Sequence, residues 1–461
     1  MVSQSRASER AWKSAVRKVQ LEKAFRRLEE KNALASRDGV TAEKWGSQLD
    51  RNLRWVNSSL LGHRYRFSTY DLLLKSKGRG KAPREIARPR FQDRVVLRCM
   101  AEYLQAVAPE SSAPLAQDVI ADVLASLSSG KYRYFIKIDI INFYPTLSHE
   151  WVRASLTRKI ASPPIVDLFM RAVEQSAAPE GRKADSPSTS GVPQGLAISN
   201  GIAELSLAHL DSSLRKRDGL AYFRFVDDIL ILLPRRSTNK LVMDIKQLMA
   251  LAGVKIHPVK LGANKSSVGR IADSFEYLGY KFVWPRVTVR SGSVSRIEGR
   301  LARAFTAYKY ARQRAGGDAA RVEVAKRRLQ WHVDLVVTGC RFDSHAVGWL
   351  VYFSQIRHQQ LLAHLDWLIE DRSKRFAVTD VQFKSFTKAY RLLASRHGDV
   401  TGYIPNFDAW VVDDKRQCLM NVFGVSAARL TNDLDVDRIF AARVRREVRD
   451  LEQDTEGAGY N

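Results

Sequence analysis

The sequence predicts an α+β protein. Short β-type apolar runs bounded by turn residues crowd into roughly the first 283 residues. From Ser295 onward, apolar residues recur at helical spacing among lysines and arginines. A third observation bounds the partner: 75 Lys+Arg against 49 Asp+Glu give a formal net charge of +26 over 461 residues. An excess of that size implies a polyanion, nucleic acid before an anionic membrane surface. A hydrophobic content of 45% with 27% charged residues is that of a globular chain with a large core. Cys99, Cys340 and Cys418 are odd in number, far apart and without metal-ligand spacing, which suits a reducing cytosol and excludes a disulfide framework. No signal core and no apolar run of ~18 residues is present, so no membrane span and a cytoplasmic location are expected.

Residues 1–35 read as one basic amphipathic helix, with Trp12, Val16, Val19, Phe25 and Leu28 on its packed stripe. A turn at Arg37-Asp-Gly-Val40 precedes a helix over 42–61. Tyr70–Lys75 is a short strand, followed by the glycine- and lysine-rich loop 76–83 and by Arg84-Glu-Ile-Ala-Arg-Pro89. A flexible basic loop of this kind lays cations over phosphates. A helix over 93–107 follows. Tyr134-Phe-Ile-Lys-Ile-Asp139 is a strand that delivers a lone carboxylate at its end. Helices are expected over 149–161 and 165–177, then a Gly/Ser/Pro-rich loop over 179–190. That loop leads into Gly191-Val-Pro-Gln-Gly195, whose glycines permit close backbone approach, and an apolar helix through Leu214.

Tyr222-Phe-Arg-Phe-Val-Asp-Asp-Ile-Leu-Ile-Leu-Leu233 places Asp227 and Asp228 between two β-type runs, a strand–turn–strand pattern. Taken alone, Asp-Asp is a turn former. Held together at a hairpin tip, it offers the hard oxygen ligands that divalent cations take. A helix over 238–252, a strand-like stretch from Lys255 to about Asn264-Lys265-Ser266, and a hairpin at Phe275–Val283 with Gly279 at its turn follow. Helices are then expected over 295–314, 318–337, 349–367, 380–396 and 426–452. Residues 402–424 read as irregular and the acidic tail as disordered.

The order of these pieces resembles the reverse transcriptase family over about residues 37–283. The succession is basic loop with Arg84, strand-end Asp139 with Tyr144 behind it, Gly-Val-Pro-Gln-Gly, Val-Asp-Asp, Asn-Lys-Ser and Tyr-Leu-Gly. The nearest resemblance is to bacterial enzymes of the group II intron, retron and defence-associated kinds. It implies a right-hand polymerase fold: an N-terminal basic helix (1–36), fingers and palm (37–294), a helical thumb (295–340) and a helical C-terminal extension (341–461). It implies RNA-directed DNA synthesis with two Mg²⁺ ions, Mn²⁺ being an alternative, about 3.5–4 Å apart. Asp139, Asp227 and Asp228 are then the metal ligands, and Lys265 the lysine that protonates the leaving pyrophosphate. Arg84 meets the triphosphate with help from Lys75, Lys77 or Lys81. Tyr144 is the aromatic gate under the ribose, Gln194 positions nucleotide and template, and Tyr277, Leu278 and Gly279 form the primer grip. RNA template, DNA product and dNTPs are the implied partners, with a dedicated noncoding RNA or a partner protein for the C-terminal region; no oligomeric state follows.

The hairpin reads Phe-Val-Asp-Asp where intron enzymes usually carry Tyr-Ala-Asp-Asp, and 84–89 departs from the intron pattern toward a retron-like one. No maturase motif, Cys/His endonuclease cluster or RNase H acid set follows residue 295. A stand-alone enzyme of anti-phage defence is therefore expected. The alternatives are an intron or retron enzyme, an untemplated or protein-primed polymerase, and a non-catalytic RNA-binding scaffold.

Overall fold

Two separate sets of sequence patterns fold into two units. The computed structural model describes residues 2–30, 38–76, 82–179, 186–236, 239–395 and 402–455. The first unit comprises the residues up to Pro114 and Gly130–Gly269; the second comprises Leu115–Ser129 with the residues from 270 onward.

The first unit is built on a six-stranded sheet. In order across it run Ala221–Phe225, Asp228–Leu233, Tyr134–Ile141, Ser267–Arg270 and Lys260–Leu261, and Lys255–Ile256 pairs with the end of Tyr134–Ile141. The near-continuous apolar run of Asp228–Leu233 is explained by its place between two neighbours: Ile229 to Leu233 are all buried. A smaller sheet pairs Tyr70–Lys75 antiparallel with Arg84–Arg88 and parallel with Ala177–Ala178. Helices Phe91–Val107, His149–Thr157, Pro163–Glu174 and Ser199–Arg215 supply the apolar faces that bury these sheets.

The expected helix over 1–35 is two helices, Val2–Ala15 and Lys18–Glu30. The break around Arg17 resets the helical phase. Leu21 takes the buried position, while Val19, expected on the packed stripe, is 72% exposed. Trp12 and Phe25 do pack, Trp12 edge-on to Tyr103 and Phe25 against Trp45 and Phe91. The expected helix over 42–61 is likewise two, Ala42–Gly46 and Leu49–Leu61. Gly46 lies against Phe25, whose Cζ would stand 2.9 Å from an added Cβ.

In the second unit, Phe275–Tyr277, Tyr280–Val283 and Arg286–Val289 form an antiparallel meander. The basic helices Ser291–Ala315 and Ala319–Thr338 follow as a packed helical hairpin, with Asp318 capping the second. Beyond them the sequence reading needs correction. The expected 349–367 helix is a single turn, Trp349–Tyr352, and a separate helix, Gln360–Arg375. Helix Phe386–Ala394 starts later than expected because Ser385 caps it and Asp366 also accepts from its first backbone amides. Residues 402–424 are not irregular throughout: they contain helix Val412–Asn421. The last helix is Asp433–Thr455. Helix Ala116–Ser128 and the hairpin Cys340–Phe342 with His345–Val347 are additions to the expected set. Cys99, Cys340 and Cys418 are buried and free. Among the described residues, no helix is long and apolar enough to cross a membrane.

Candidate active site

The carboxylates meet because of strand pairing. Tyr134–Ile141 runs antiparallel to Asp228–Leu233, and the register sets Asp139 directly opposite Asp228. The pairing of Phe225 with Asp228 leaves Val226 and Asp227 as a two-residue hairpin loop. Asp227 is tied to the Asp139 strand by its carbonyl, which accepts from the Ile140 amide at 3.4 Å. Val226 has φ +54°, a region that a β-branched residue enters only when its surroundings impose it.

The Asn264-Lys-Ser segment docks on the same strand. Ser266, fully buried, receives the Asp139 amide on its Oγ at 3.0 Å, and the His257 amide donates to the Asp139 carbonyl at 3.0 Å. Lys265 Nζ thereby reaches Asp139 Oδ2 at 2.6 Å. Its charge is favoured chiefly by that bond, so its pKa is raised. Burial first, and repulsion from Asp139 second among the raising causes, pushes the Asp227 carboxyl up against the opposing pull of Arg84 and Lys265. Burial, then Asp227, pushes Asp228 up to about 7. Two raised carboxyls side by side, Asp227 and Asp228, with Asp139 facing them, are a site short of positive charge.

Arg84 opens strand Arg84–Arg88, paired with Lys75, so the two flank the basic loop. Its field acts on both Asp227 and Tyr144. Lys77 and Lys81 lie outside the described residues. Tyr144 is buried on the short helix Phe143–Thr146, and its hydroxyl donates to Asn200 Oδ1 at 2.7 Å. Burial raises its pKa well above the ordinary phenol value.

The Gly-Val-Pro-Gln-Gly segment is threaded between these parts. Gly191 has φ +85°, and a Cβ there would stand 2.7 Å from the Pro145 carbonyl oxygen. Gly195 has φ +104°, and its Cβ would stand 2.6 Å from the Ala87 carbonyl oxygen. The Val192 amide donates to the Tyr144 carbonyl at 2.8 Å, and the Ala87 amide to the Gln194 carbonyl at 2.7 Å. Glycine is needed here for both reasons at once, conformation and space. The segment thus links the Tyr144 turn to the Arg84 strand. Gln194 Oε1 is buried and has no hydrogen-bond partner among the described residues.

Asp139, Asp227, Asp228, Lys265, Arg84, Tyr144 and Gln194 therefore all belong to the first unit. Tyr277, Leu278 and Gly279 belong to the second. There Leu278 and Gly279 form the turn of a hairpin closed by Tyr277 and Tyr280, with Leu278 at φ +46°. Tyr277 and Leu278 are buried, and Tyr352 Oη donates to the Leu278 carbonyl at 3.1 Å.

Sequence reasoning passed over the support beneath the hairpin. Arg224 is buried with Asp211 and Glu204, and Tyr222 donates to Asp211 at 2.7 Å. The signal was present: an arginine inside an apolar strand, and two acids seven residues apart, hence on one face of an apolar helix.

Among the described residues no three His, Cys, Asp or Glu side chains converge as a ready-made metal cage. Mg²⁺ seldom uses one: it takes one or two carboxylates and completes its shell with water and substrate phosphates. Two mutually repelling carboxylates, Asp139 on its strand and Asp227 in the hairpin loop, fit that requirement.

Residues 75–282, just under half of the chain, match the family model described as reverse transcriptase (RNA-dependent DNA polymerase). No curated protein matches the chain. Among solved structures, the apo telomerase of Candida tropicalis truncated from its C-terminal domain is 15% identical, with a TM-score of 0.36, over 49% of this chain and 55% of that one. The telomerase of Candida albicans in complex with the TWJ fragment of telomeric RNA is 12% identical, with a TM-score of 0.43, over 90% of this chain and 67% of that one. The chain thus spans little more than half of the first of these structures. What the match over the site itself establishes is that residues 75–282 form a reverse transcriptase domain.

Proposed function

We propose that the chain is an RNA-directed DNA polymerase that adds dNTPs to a primer 3′-hydroxyl on an RNA template. The observation that carries this reading is the pairing of the Asp139 strand with the Asp227–Asp228 hairpin inside a reverse transcriptase domain. Asp139 and Asp227 would hold two Mg²⁺ ions, with Asp228 beside them. Bound there, the ions supply charge for the attacking oxygen and for the leaving pyrophosphate. Mn²⁺ has the same oxygen preference.

The chain's own groups do the rest. Arg84 binds the triphosphate in bidentate fashion, which a lysine cannot do; Lys81 on the intervening loop adds a point charge. Tyr144, held by Asn200, packs under the sugar and leaves no room for a 2′-hydroxyl. The unpartnered Gln194 Oε1 accepts from the nucleotide or template. Lys265, already protonated beside Asp139, delivers its proton to the pyrophosphate. Tyr277, Leu278 and Gly279 serve as primer grip. Residues 295–340 serve as thumb, tracking the duplex backbone, and residues 341–461 take a dedicated RNA or a partner protein.

We infer a setting in bacterial anti-phage defence and a reducing, cytoplasmic location. In support, the three cysteines are buried and free. The test is incorporation of labelled dNTP on a primed RNA template by the full chain, with and without Mg²⁺. Metal-dependent, template-directed product is expected. No incorporation with any RNA that copurifies would overturn the reading, and product that stays attached to protein after nuclease treatment would replace it with protein priming.

A further inference from the structure

Arg224 stands in strand Ala221–Phe225 with its side chain 4% exposed. A buried guanidinium persists only if its donors are met. Nε donates to Asp211 at 2.7 Å, and Nη2 to Asp211 at 2.5 Å and Glu204 at 2.7 Å. These bonds form a fork onto helix Ser199–Arg215. The remaining nitrogen does something that charge balance does not require: Nη1 donates to the carbonyl of Val226 at 3.0 Å. Val226 is the hairpin residue at positive φ, and the next residue is Asp227. The helix that anchors the fork also carries Asn200, the partner of Tyr144.

We propose that Arg224 is a positioning residue for the metal-binding hairpin: it clamps the strained Val226 turn to helix Ser199–Arg215 and so fixes the Asp227 carboxylate beside Asp139. The proposal rests on the metal-dependent polymerase reading above. A structural ion pair alone would need only the two acids. The bond to the turn carbonyl makes the guanidinium the link between the helix and the turn. Lysine would keep the charge between Glu204 and Asp211, but its single ammonium has no planar fork with which to hold acids and carbonyl together.

The test is Arg224→Lys in the full chain, read first by Mn²⁺ binding without nucleotide, followed by electron paramagnetic resonance. Mn²⁺ affinity is expected to fall roughly tenfold, the size usual for losing a group that orients a ligand. In steady state, kcat should fall by roughly 10- to 100-fold, with the dNTP KM changed by less than about threefold, because ground-state binding of substrate is untouched. Adding Val226→Gly to Arg224→Lys should recover part of both losses, since glycine takes positive φ without strain. If Arg224→Lys does not fold, Asp211→Asn, which weakens the anchor and leaves the arginine, should shift Mn²⁺ binding in the same direction. Unchanged Mn²⁺ affinity, or a loss of kcat that only follows the folded fraction, would overturn the proposal, as would a double variant no better than Arg224→Lys. Wild-type protein that binds Mn²⁺ but incorporates no dNTP would overturn the polymerase reading instead, and the Mn²⁺ comparison would still decide the role of Arg224.

Discussion

At the scale of single residues, the site holds negative charge close together in partial burial. Asp227→Asn removes one of the carboxylates proposed to hold metal and should abolish dNTP incorporation while leaving the thermal transition intact or raised. A transition lost together with activity would show the residue to be structural. Asp228 gives a pH dependence with a definite sign. Its pKa rises from 3.8 to about 7 in the folded protein, burial being the main cause. The folded state therefore holds the proton more tightly than the unfolded chain. This contribution to stability is complete below about pH 4 and declines as pH rises through 7. Asp228→Asn should thus be more stable than wild type at pH 8, by on the order of 1–3 kcal/mol, and the difference should shrink toward pH 5 in metal-free denaturant melts. A difference that grows toward low pH would refute this account. Tyr144 offers a separate readout. Tyr144→Ala should lower discrimination against ribonucleotides by roughly 10- to 100-fold, from a lost steric clash of a few kcal/mol. Asn200→Ala should do so less, because the ring remains but loses its tether. Equal use of dNTP and rNTP by wild type would remove the gate from the mechanism.

At the scale of elements, the Gly-Val-Pro-Gln-Gly segment decides whether the site closes. Gly195 combines φ +104° with a backbone oxygen 2.6 Å from where a Cβ would stand. Gly195→Ala should therefore cost about 1–3 kcal/mol in strain and displace Gln194 from Ala87. A drop in both melting temperature and incorporation is expected. If both survive, the segment has slack that the geometry denies it. The strands were the most legible elements, because a buried strand between two neighbours writes an unbroken apolar run, as Ile229 to Leu233 do. Helix lengths were less so. The period of 3.6 continues on paper through Arg17 and between Trp349 and Trp367. The break at Arg17 is made by packing, through Leu21, and the late start of Phe386–Ala394 by capping, through Ser385 and Asp366; periodicity records neither.

At the scale of the whole molecule, the +26 charge is the largest single physical fact. Binding to a primed template should be dominated by phosphate contacts, and so should weaken steeply and log-linearly with salt. A slope equivalent to roughly 4–8 contacts is expected from filter binding between 50 and 300 mM salt, with little dependence on sequence. A flat salt response would point to recognition by shape or by bases instead. In the second unit Phe305, Tyr308 and Trp349 are buried core, while Tyr310 and Trp367 stay more than half exposed. Trp367 stacks one face on His364, so the exposed aromatic surface there is Tyr310 and the other face of Trp367.

Composition and local pattern determined the α+β class, the strongly basic balance and the acids on the Asp139 strand and the hairpin, because charge and β-type runs are local properties of the chain. The order of motifs gave the resemblance and, with it, the roles proposed for the site residues. Only the tertiary structure decided that Asp139 lies opposite Asp228, that Lys265 reaches Asp139 and that Arg224 clamps the Val226 turn. These are contacts between residues distant in sequence or turned inward from a strand, and they depend on register and burial, which a linear pattern does not encode.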